Sequence, residues 1–122
     1  MNGLIDAYGR ALLAIKIRRD KLQEPTPIEV WIDTGFNGDL VLPRPQIDRL
    51  GLQKSGSVDA ILADGSPIEV HTYTCLIDWF GREQRLEVVA NDGEYALLGV
   101  GLLLGLELRA NYRTLELTLA AG

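Results

Sequence analysis

The sequence is poor in the residues that build metal centres, disulfides and histidine-activated nucleophiles. Its 122 residues include one cysteine, Cys75, and one histidine, His71. A single cysteine cannot close an internal disulfide, so nothing here indicates an oxidising compartment. A zinc site or a Ser/His triad needs more partners than these two residues supply. We therefore interpret His71 as structural or exposed and Cys75 as a small packed residue, and we expect no metal ion and no cofactor.

The sequence also lacks a long apolar run and a strongly basic segment. No stretch approaches the length of a membrane-spanning helix, and the first ten residues lack the basic-then-apolar order of a signal peptide. The 12 basic residues against 17 acidic ones give a net charge of −5, which disfavours binding to a phosphate backbone. We expect a soluble cytoplasmic protein that binds neither membrane nor nucleic acid.

What the sequence does contain is a series of short β-strand patterns. Apolar and polar residues alternate in several segments, as expected for strands that bury one face. The apolar positions are Leu13, Ile15 and Ile17; Ile28, Val30 and Ile32; Leu86, Val88 and Ala90; and Leu115, Leu117 and Leu119. Asp64-Gly65 separates two further strand candidates, residues 58–63 and 68–79, and is typical of a hairpin turn.

Helical patterns are few and brief. Residues 43–50 are followed by Gly51 at the position where a helix usually ends in a left-handed residue. Residues 100–104, closed by Gly105, form a second candidate. The length suits one domain with its own core, and no repeat or linker divides it. The sequence therefore predicts a single all-β domain over residues 1–122, closed or sandwich-like, with one or two short helices.

The segment 30–36 carries the clearest functional signal. An apolar strand pattern delivers Asp33 to its end, and Thr34 and Gly35 follow at once. Gly35 would let a second backbone segment approach closely, and Thr34 offers a hydroxyl that can donate and accept. On its own this triplet is more often a strand-ending turn than a catalytic site, because Asp and Gly favour turns generally.

A second segment changes that interpretation. Leu97, Leu98 and Gly99 lie downstream of the Asp64-Gly65 hairpin and precede a short apolar helical pattern. In this order, the two segments resemble the retroviral-type (retropepsin-like, clan AA) aspartic peptidases. The resemblance extends over nearly the whole chain and is closest to a prokaryotic single-domain branch. It is carried by further segments at residues 38–43, 50–52, 63–66 and 79–81.

The resemblance implies a retropepsin-like closed β-barrel with a flap hairpin, acting as a homodimer that hydrolyses peptide bonds. It implies that Asp33 is the catalytic carboxylate, that Thr34 locks the two active-site loops together, and that Gly35 lies beneath the substrate. Two Asp33 side chains would share one proton, and the ionised one would activate a water molecule. Peptide or protein substrate would contact the flap tip and nearby pocket residues: Ala63, Asp64, Gly65, Ser66, Trp31, Phe36 and Leu97.

The sequence departs from this family just after Gly99. Two residues after that glycine the family usually carries Asp or Asn, where this chain has Gly101. At the position between them the family often carries Arg or Met, where this chain has Val100. The contact between this segment and the active-site loop must then be apolar or backbone-mediated. We expect Gly101→Asp to be tolerated if the family's partner geometry survives.

Two other classes of function are alternatives to peptidase activity. A catalytically silent module for dimerisation or peptide binding could keep the same fold, since fold does not fix function. A phosphotransferase with Asp33 as nucleophile would need further acidic metal ligands and a parallel α/β scaffold. The sequence shows neither of these phosphotransferase features.

Overall fold

Ten strands form one continuous sheet that curls on itself. The computed structural model describes the whole chain, Met1–Gly122, and contains one α-helix, α1 (Arg44–Leu50), and a 3₁₀ turn (Val100–Leu102). The strands are β1 (Asn2–Ile5), β2 (Ala11–Arg18), β3 (Thr26–Ile32), β4 (Leu40–Pro43), β5 (Gln53–Ile61), β6 (Pro67–Trp79), β7 (Arg82–Asn91), β8 (Ala96–Leu98), β9 (Leu106–Asn111) and β10 (Glu116–Ala121).

The order of the strands closes a barrel. Neighbouring strands run β5-β6-β7-β4-β8-β3-β2-β1-β10-β9, and β6 also pairs with β2. That extra pairing joins Ile17 to Ile77 and Arg18 to Leu76, and so closes the six strands from β6 to β2. Strand β5 extends from the barrel as a hairpin with β6, while β1, β10 and β9 form a terminal sheet beyond β2. The expected all-β closed barrel with a projecting hairpin is confirmed.

The alternating patterns point into the barrel as predicted. In β2 the side chains of Leu13, Ile15 and Ile17 are buried, while Ala14 and Lys16 between them are exposed. The inward residues of the other predicted strands join the same core: Ile28, Val30, Ile32, Leu86, Val88, Ala90, Leu117 and Leu119. The prediction is wrong at Leu115, which precedes β10 in a turn with φ of 62° and is exposed.

The predicted helix at residues 43–50 is confirmed as α1. It buries Ile47 and Leu50, and Gly51 ends it in the left-handed conformation, with φ of 67°. Such a terminus favours glycine because a Cβ disfavours positive φ. The second predicted helix is shorter than expected, since only Val100–Leu102 forms a 3₁₀ turn. No helix in the structure has the length and apolar character needed to cross a bilayer.

The projecting hairpin, here called the flap, consists of β5, the start of β6 and the loop between them. Strand β5 begins earlier than predicted and ends at Ile61, which pairs with Pro67. The Leu62 amide donates to the Ser66 carbonyl at 2.9 Å, and Gly65 has φ of +85°. The Asp64 carboxylate accepts bonds from the Ser66 hydroxyl and amide, which hold its pKa below the usual value. The hairpin therefore turns in the predicted place, but through a three-residue loop of Ala63, Asp64 and Gly65 rather than a two-residue turn.

Candidate active site

Asp33 lies where β8 runs alongside the end of β3. The two strands are parallel, and Ile32 of β3 pairs with Leu98 of β8. Directly after this pair, the Asp33 amide donates to the Leu98 carbonyl at 2.8 Å. Ile32 and Val30 are buried in the barrel, so the strand brings a carboxylate to the rim of an apolar core.

The Asp33 carboxylate is oriented by its own loop. Its Oδ1 atom accepts the Gly35 amide at 2.9 Å, and the Asp33 carbonyl accepts the Phe36 amide at 3.2 Å. This is the local turn that an aspartate can form with the amide two residues on. A Cβ at position 35 would lie 3.2 Å from Oδ1, which is tight, so glycine keeps this hydrogen bond unobstructed.

The remainder of the loop is held by backbone hydrogen bonds. Three successive amides after β8 donate into residues 33–39, here called the active-site loop. Gly99 donates to Asp39 at 2.9 Å, Val100 to Phe36 at 2.8 Å and Gly101 to Gly38 at 3.0 Å. Because polar side chains are missing at positions 100 and 101, the contact was predicted to be apolar or backbone-mediated, and the structure shows the backbone-mediated form.

The structure argues against the expected tolerance of Gly101→Asp, which stays a prediction. A Cβ at position 101 would overlap Asp39 Oδ1 and would lie 3.0 Å from the Gly38 carbonyl oxygen. Burial raises the pKa of Asp39, and the neighbouring charge of Glu87 raises it further. A second carboxylate introduced against Asp39 would add like-charge repulsion to the steric overlap. Asp39 thus occupies the space that a polar side chain at position 101 would need.

Asp39→Asn is expected to raise the thermal stability near pH 7 by a small amount. The pKa of this carboxyl is higher in the folded protein than in the unfolded chain, where it is near 4. Its contribution to the free energy of unfolding is therefore fully present below about pH 4 and is lost as the pH rises through the folded-state pKa. Asparagine removes the cost of ionisation, but partial exposure of Asp39 keeps the gain to a few degrees at most. Thermal unfolding across a pH series measures this. A gain at about pH 3 equal to that at about pH 7 would contradict the explanation.

An open cavity of about 410 Å³ borders Asp33. It is lined by Trp31, Ile32, Asp33, Thr34 and Leu97. Trp31 and Leu97 are cross-strand partners that point away from the barrel, and they form one wall. Three of the residues singled out from the sequence are thus brought together with Asp33. Phe36 instead packs its ring over Gly38 and Gly99, beneath the loop.

A second cleft of about 420 Å³ lies on the other side of Leu97. The flap strand β6 forms part of its wall, and β4, β7, β8, the start of α1 and the loop after β7 form the rest. Its lining residues are Val41, Arg44, Ile68, Glu69, Val70, Val89, Ala90, Asn91, Asp92 and Leu97. The flap-tip residues Ala63, Asp64, Gly65 and Ser66 line neither cavity. The two cavities share Leu97 as a lining residue, and together they are here called the groove.

No protein-family model and no curated protein matches the sequence. Solved structures do match the fold. A retropepsin-like aspartic protease from Rickettsia conorii aligns over 100% of this chain and 92% of its own, with a TM-score of 0.64 and 18% identity. EIAV protease, solved in complex with the inhibitor HBY-793, aligns over 80% and 88%, with a TM-score of 0.61 and 23% identity. Simian foamy virus (mac) protease aligns over 75% and 91%, with a TM-score of 0.52 and 15% identity.

The chain has a retropepsin-like fold. The expectation drawn from the paired sequence segments is thereby confirmed at the level of the fold. Asp33 and the segment of residues 99–101 lie at the rim of this barrel's apolar core.

The candidate site has one feature that was not predicted from the sequence. The Arg10 guanidinium carbon lies 5.1 Å from the Tyr8 ring centroid, 5.8 Å from that of Trp31 and 4.5 Å from that of Tyr95. Trp31 and Tyr95 meet edge to face at 5.8 Å. A cation held over aromatic faces is favourable, so the three rings and Arg10 stiffen the wall to which Trp31 belongs.

Arg10 is fixed from behind by Asp6. The Arg10 Nε donates to Asp6 Oδ2 at 2.6 Å, and this hydrogen bond raises the pKa of the guanidinium. The Arg10 guanidinium also donates to the Tyr95 hydroxyl. Tyr95 lies just before β8, in a bend where strand alternation does not apply, so no sequence pattern indicated this contact.

The remaining candidate nucleophile and the histidine lie outside the groove. Cys75 is buried, and burial, with a smaller contribution from Asp39, raises the pKa of its thiol to about 12. A thiol in that state is not a nucleophile near neutral pH. His71 Nε2 lies 3.5 Å from Glu69 Oε1 on the flap. No group of three or more His, Cys, Asp or Glu side chains is placed to hold a metal ion.

Proposed function

We propose that this protein is an aspartic endopeptidase whose active site is completed by a second copy of the chain. The observation that carries the proposal is the position of Asp33. Its backbone is tied to β8, its carboxylate is oriented by the Gly35 amide, and it faces an open groove with apolar walls. The aspartic mechanism needs two carboxylates in contact, and each chain supplies one in this setting.

In the proposed mechanism two Asp33 side chains meet across a twofold axis and share one proton. Like charges in contact cannot both ionise, so one carboxyl stays protonated while the other is ionised. The ionised carboxylate takes a proton from a water molecule, and the protonated carboxyl polarises the scissile carbonyl. The apparent pKa values belong to the pair. Thr34 is exposed beside Asp33, where its hydroxyl can bond to the partner's loop.

The substrate that suits the groove is an extended peptide with apolar side chains around the scissile bond. Leu97 stands between a cavity walled by Trp31 and a cleft walled by aliphatic residues of β4, β6 and β7. Neighbouring side chains of an extended peptide alternate in direction, so they can enter such pockets in turn. We infer that the flap tip, residues 63–66, closes over the bound peptide, as lid elements do.

Peptide-library cleavage tests the proposal directly. We expect cleavage between apolar residues, inhibition by a statine-type transition-state mimic, and a bell-shaped rate profile on the acidic side of neutrality. That shape follows because one carboxyl must be protonated while the other is ionised. Absence of cleavage at every pH at which the protein is folded and dimeric would contradict the proposal and favour the catalytically silent module.

A further inference from the structure

A third cavity adjoins the segment that holds the active-site loop, but it shares no residue with the groove. Its volume is about 480 Å³, and it opens between the β6–β7 turn, the 3₁₀ turn and the end of the terminal sheet where β9 and β10 pair. The lining residues are Trp79, Phe80, Arg82, Glu83, Gln84, Gly101, Leu102, Leu104, Leu106 and Ala121.

Phe80, in the lining of the third cavity, has a backbone conformation that its residue type disfavours. Trp79 pairs with Arg82, so Phe80 and Gly81 form the two-residue turn between β6 and β7, with φ of 53° and 79°. Such a turn favours Asn or Gly at both positions, because a Cβ disfavours positive φ. Phe80 is also 41% exposed. The turn gives no reason for an aromatic residue at this position, and an outlier of this kind points to a role in function.

Leu104 contributes a second exposed apolar side chain to the same lining. It is 76% exposed, whereas Trp79 and Leu102 in the lining are buried. The rings of Trp79 and Phe80 meet edge to face, with centroids 5.2 Å apart. These side chains suit an apolar group, because covering them removes apolar surface from water.

The polar side chains of the third cavity indicate what accompanies the apolar group. Glu83 already pairs with Arg18 and Lys21. Arg82 and Gln84 are exposed, and neither makes a side-chain hydrogen bond or an ion pair. A free guanidinium suits a carboxylate, and a free primary amide can donate to and accept from a peptide group. An apolar side chain, a peptide group and a carboxylate occur together at the C-terminus of a peptide.

We propose that the third cavity binds the C-terminal residue of a peptide that ends in an apolar side chain. Arg82 pairs with the terminal carboxylate, Gln84 bonds to the last peptide group, and the apolar side chain packs against Phe80 and Leu104. Cleavage between apolar residues releases a fragment with such a terminus. The identification of the ligand as a reaction product therefore rests on the proposed function, whereas the binding site itself does not.

The third cavity is connected to Asp33 through backbone. Gly101 and Leu102 line the cavity, and the Gly101 amide donates to the Gly38 carbonyl of the active-site loop at 3.0 Å. A peptide terminus packed on Gly101 and Leu102 therefore contacts the segment that holds this loop. We expect the amide signals of these two residues to shift when the terminus binds.

Titration with N-acetylphenylalanine, followed by amide NMR, tests the site. This probe has one apolar side chain, one peptide group and a terminal carboxylate, and the largest shifts should occur at Phe80, Gly101 and Leu102. N-acetylphenylalanine amide, which lacks the carboxylate, should bind about tenfold more weakly, because it cannot form a charge-assisted hydrogen bond. Octanoate, which lacks the peptide group, should also bind more weakly than N-acetylphenylalanine.

Substitutions in the lining separate the contributions. Arg82→Gln should remove the preference for the acid over its amide. Arg85→Gln is the matched control, since it removes the same charge from an exposed arginine of β7 outside the cavity, and it should keep the preference. Phe80→Asn should weaken the binding of both probes without lowering the unfolding midpoint, because asparagine suits the turn.

An acid preference that survives Arg82→Gln would overturn the proposal, and so would shifts confined to the groove. Unchanged binding in the Phe80→Asn variant would also overturn it. Octanoate bound as tightly as N-acetylphenylalanine would reject a peptide terminus as the ligand. Binding as expected in a protein that cleaves no peptide would support the site and reject the product assignment together with the peptidase.

Discussion

Asp33→Asn is expected to abolish peptide cleavage while leaving the fold and the dimer in place. Asparagine keeps a carbonyl oxygen that can accept the Gly35 amide, so the loop loses no backbone contact. It cannot exchange the proton that the two carboxyls share, so neither the water nor the scissile carbonyl is activated. The loss should reach about a thousandfold or more, as expected when general acid–base chemistry is removed.

The assay compares this variant with Asp48→Asn, which neutralises an exposed carboxylate on α1 away from the groove. The control should retain its turnover, and both variants should sediment as the wild-type protein does. Thermal unfolding should place the two midpoints within a few degrees of each other. Wild-type turnover in the Asp33→Asn variant would show that Asp33 is not the catalyst.

Gly99→Ala is expected to produce the largest loss of stability among single-methyl changes near the site. A Cβ there would overlap the Gly38 carbonyl oxygen and would lie 2.8 Å from that of Phe36. Both are backbone atoms, so no side-chain rotation relieves the overlap. Overpacking of this kind costs about 1–3 kcal/mol, and loss of the hydrogen bonds around position 99 adds to it.

Gly56→Ala is a matched control for this change. Its Cβ would meet only the Thr72 hydroxyl, at an ordinary 3.8 Å. Chemical denaturation should show little change for the control and a clear loss for Gly99→Ala. Catalysis should fall with stability in the Gly99→Ala variant, because the same segment positions Asp33 through the Leu98 carbonyl. Equal unfolding free energies in the two variants would mean that the loop has room to move.

The barrel was predictable where strands bury one face. Alternation identified β2, β3 and the inward positions of β7 and β10, because one side of each strand faces the core. Alternation fails for β4, whose four residues are all buried, since a strand covered on both faces has no period of two. The short strands β1 and β8 give too few residues to establish a period. The pairing of β6 with β2, which closes the barrel, is not visible in any single segment.

Some residues of the candidate site were likewise predictable from the sequence, and others were not. Asp33 and Leu97 were predicted because their local patterns resemble a known pair of segments. The contact between Arg10 and Tyr95 joins residues 85 positions apart, and only the neighbouring positions of β2, β3 and β8 bring them together. The crowding around Gly101 was not foreseen, because a close approach between backbone segments leaves no mark in the sequence beyond the glycine itself.

The position of the terminal sheet has a consequence for the order in which the chain folds. All six barrel strands lie between Ala11 and Leu98, whereas the terminal sheet must join β1 to β10, and the Met1 amino group reaches the Leu119 carbonyl. Pairing so distant in the chain carries a large loop-closure entropy and forms slowly. The barrel, with the loop that positions Asp33, can therefore form before the two ends of the chain come together in the terminal sheet.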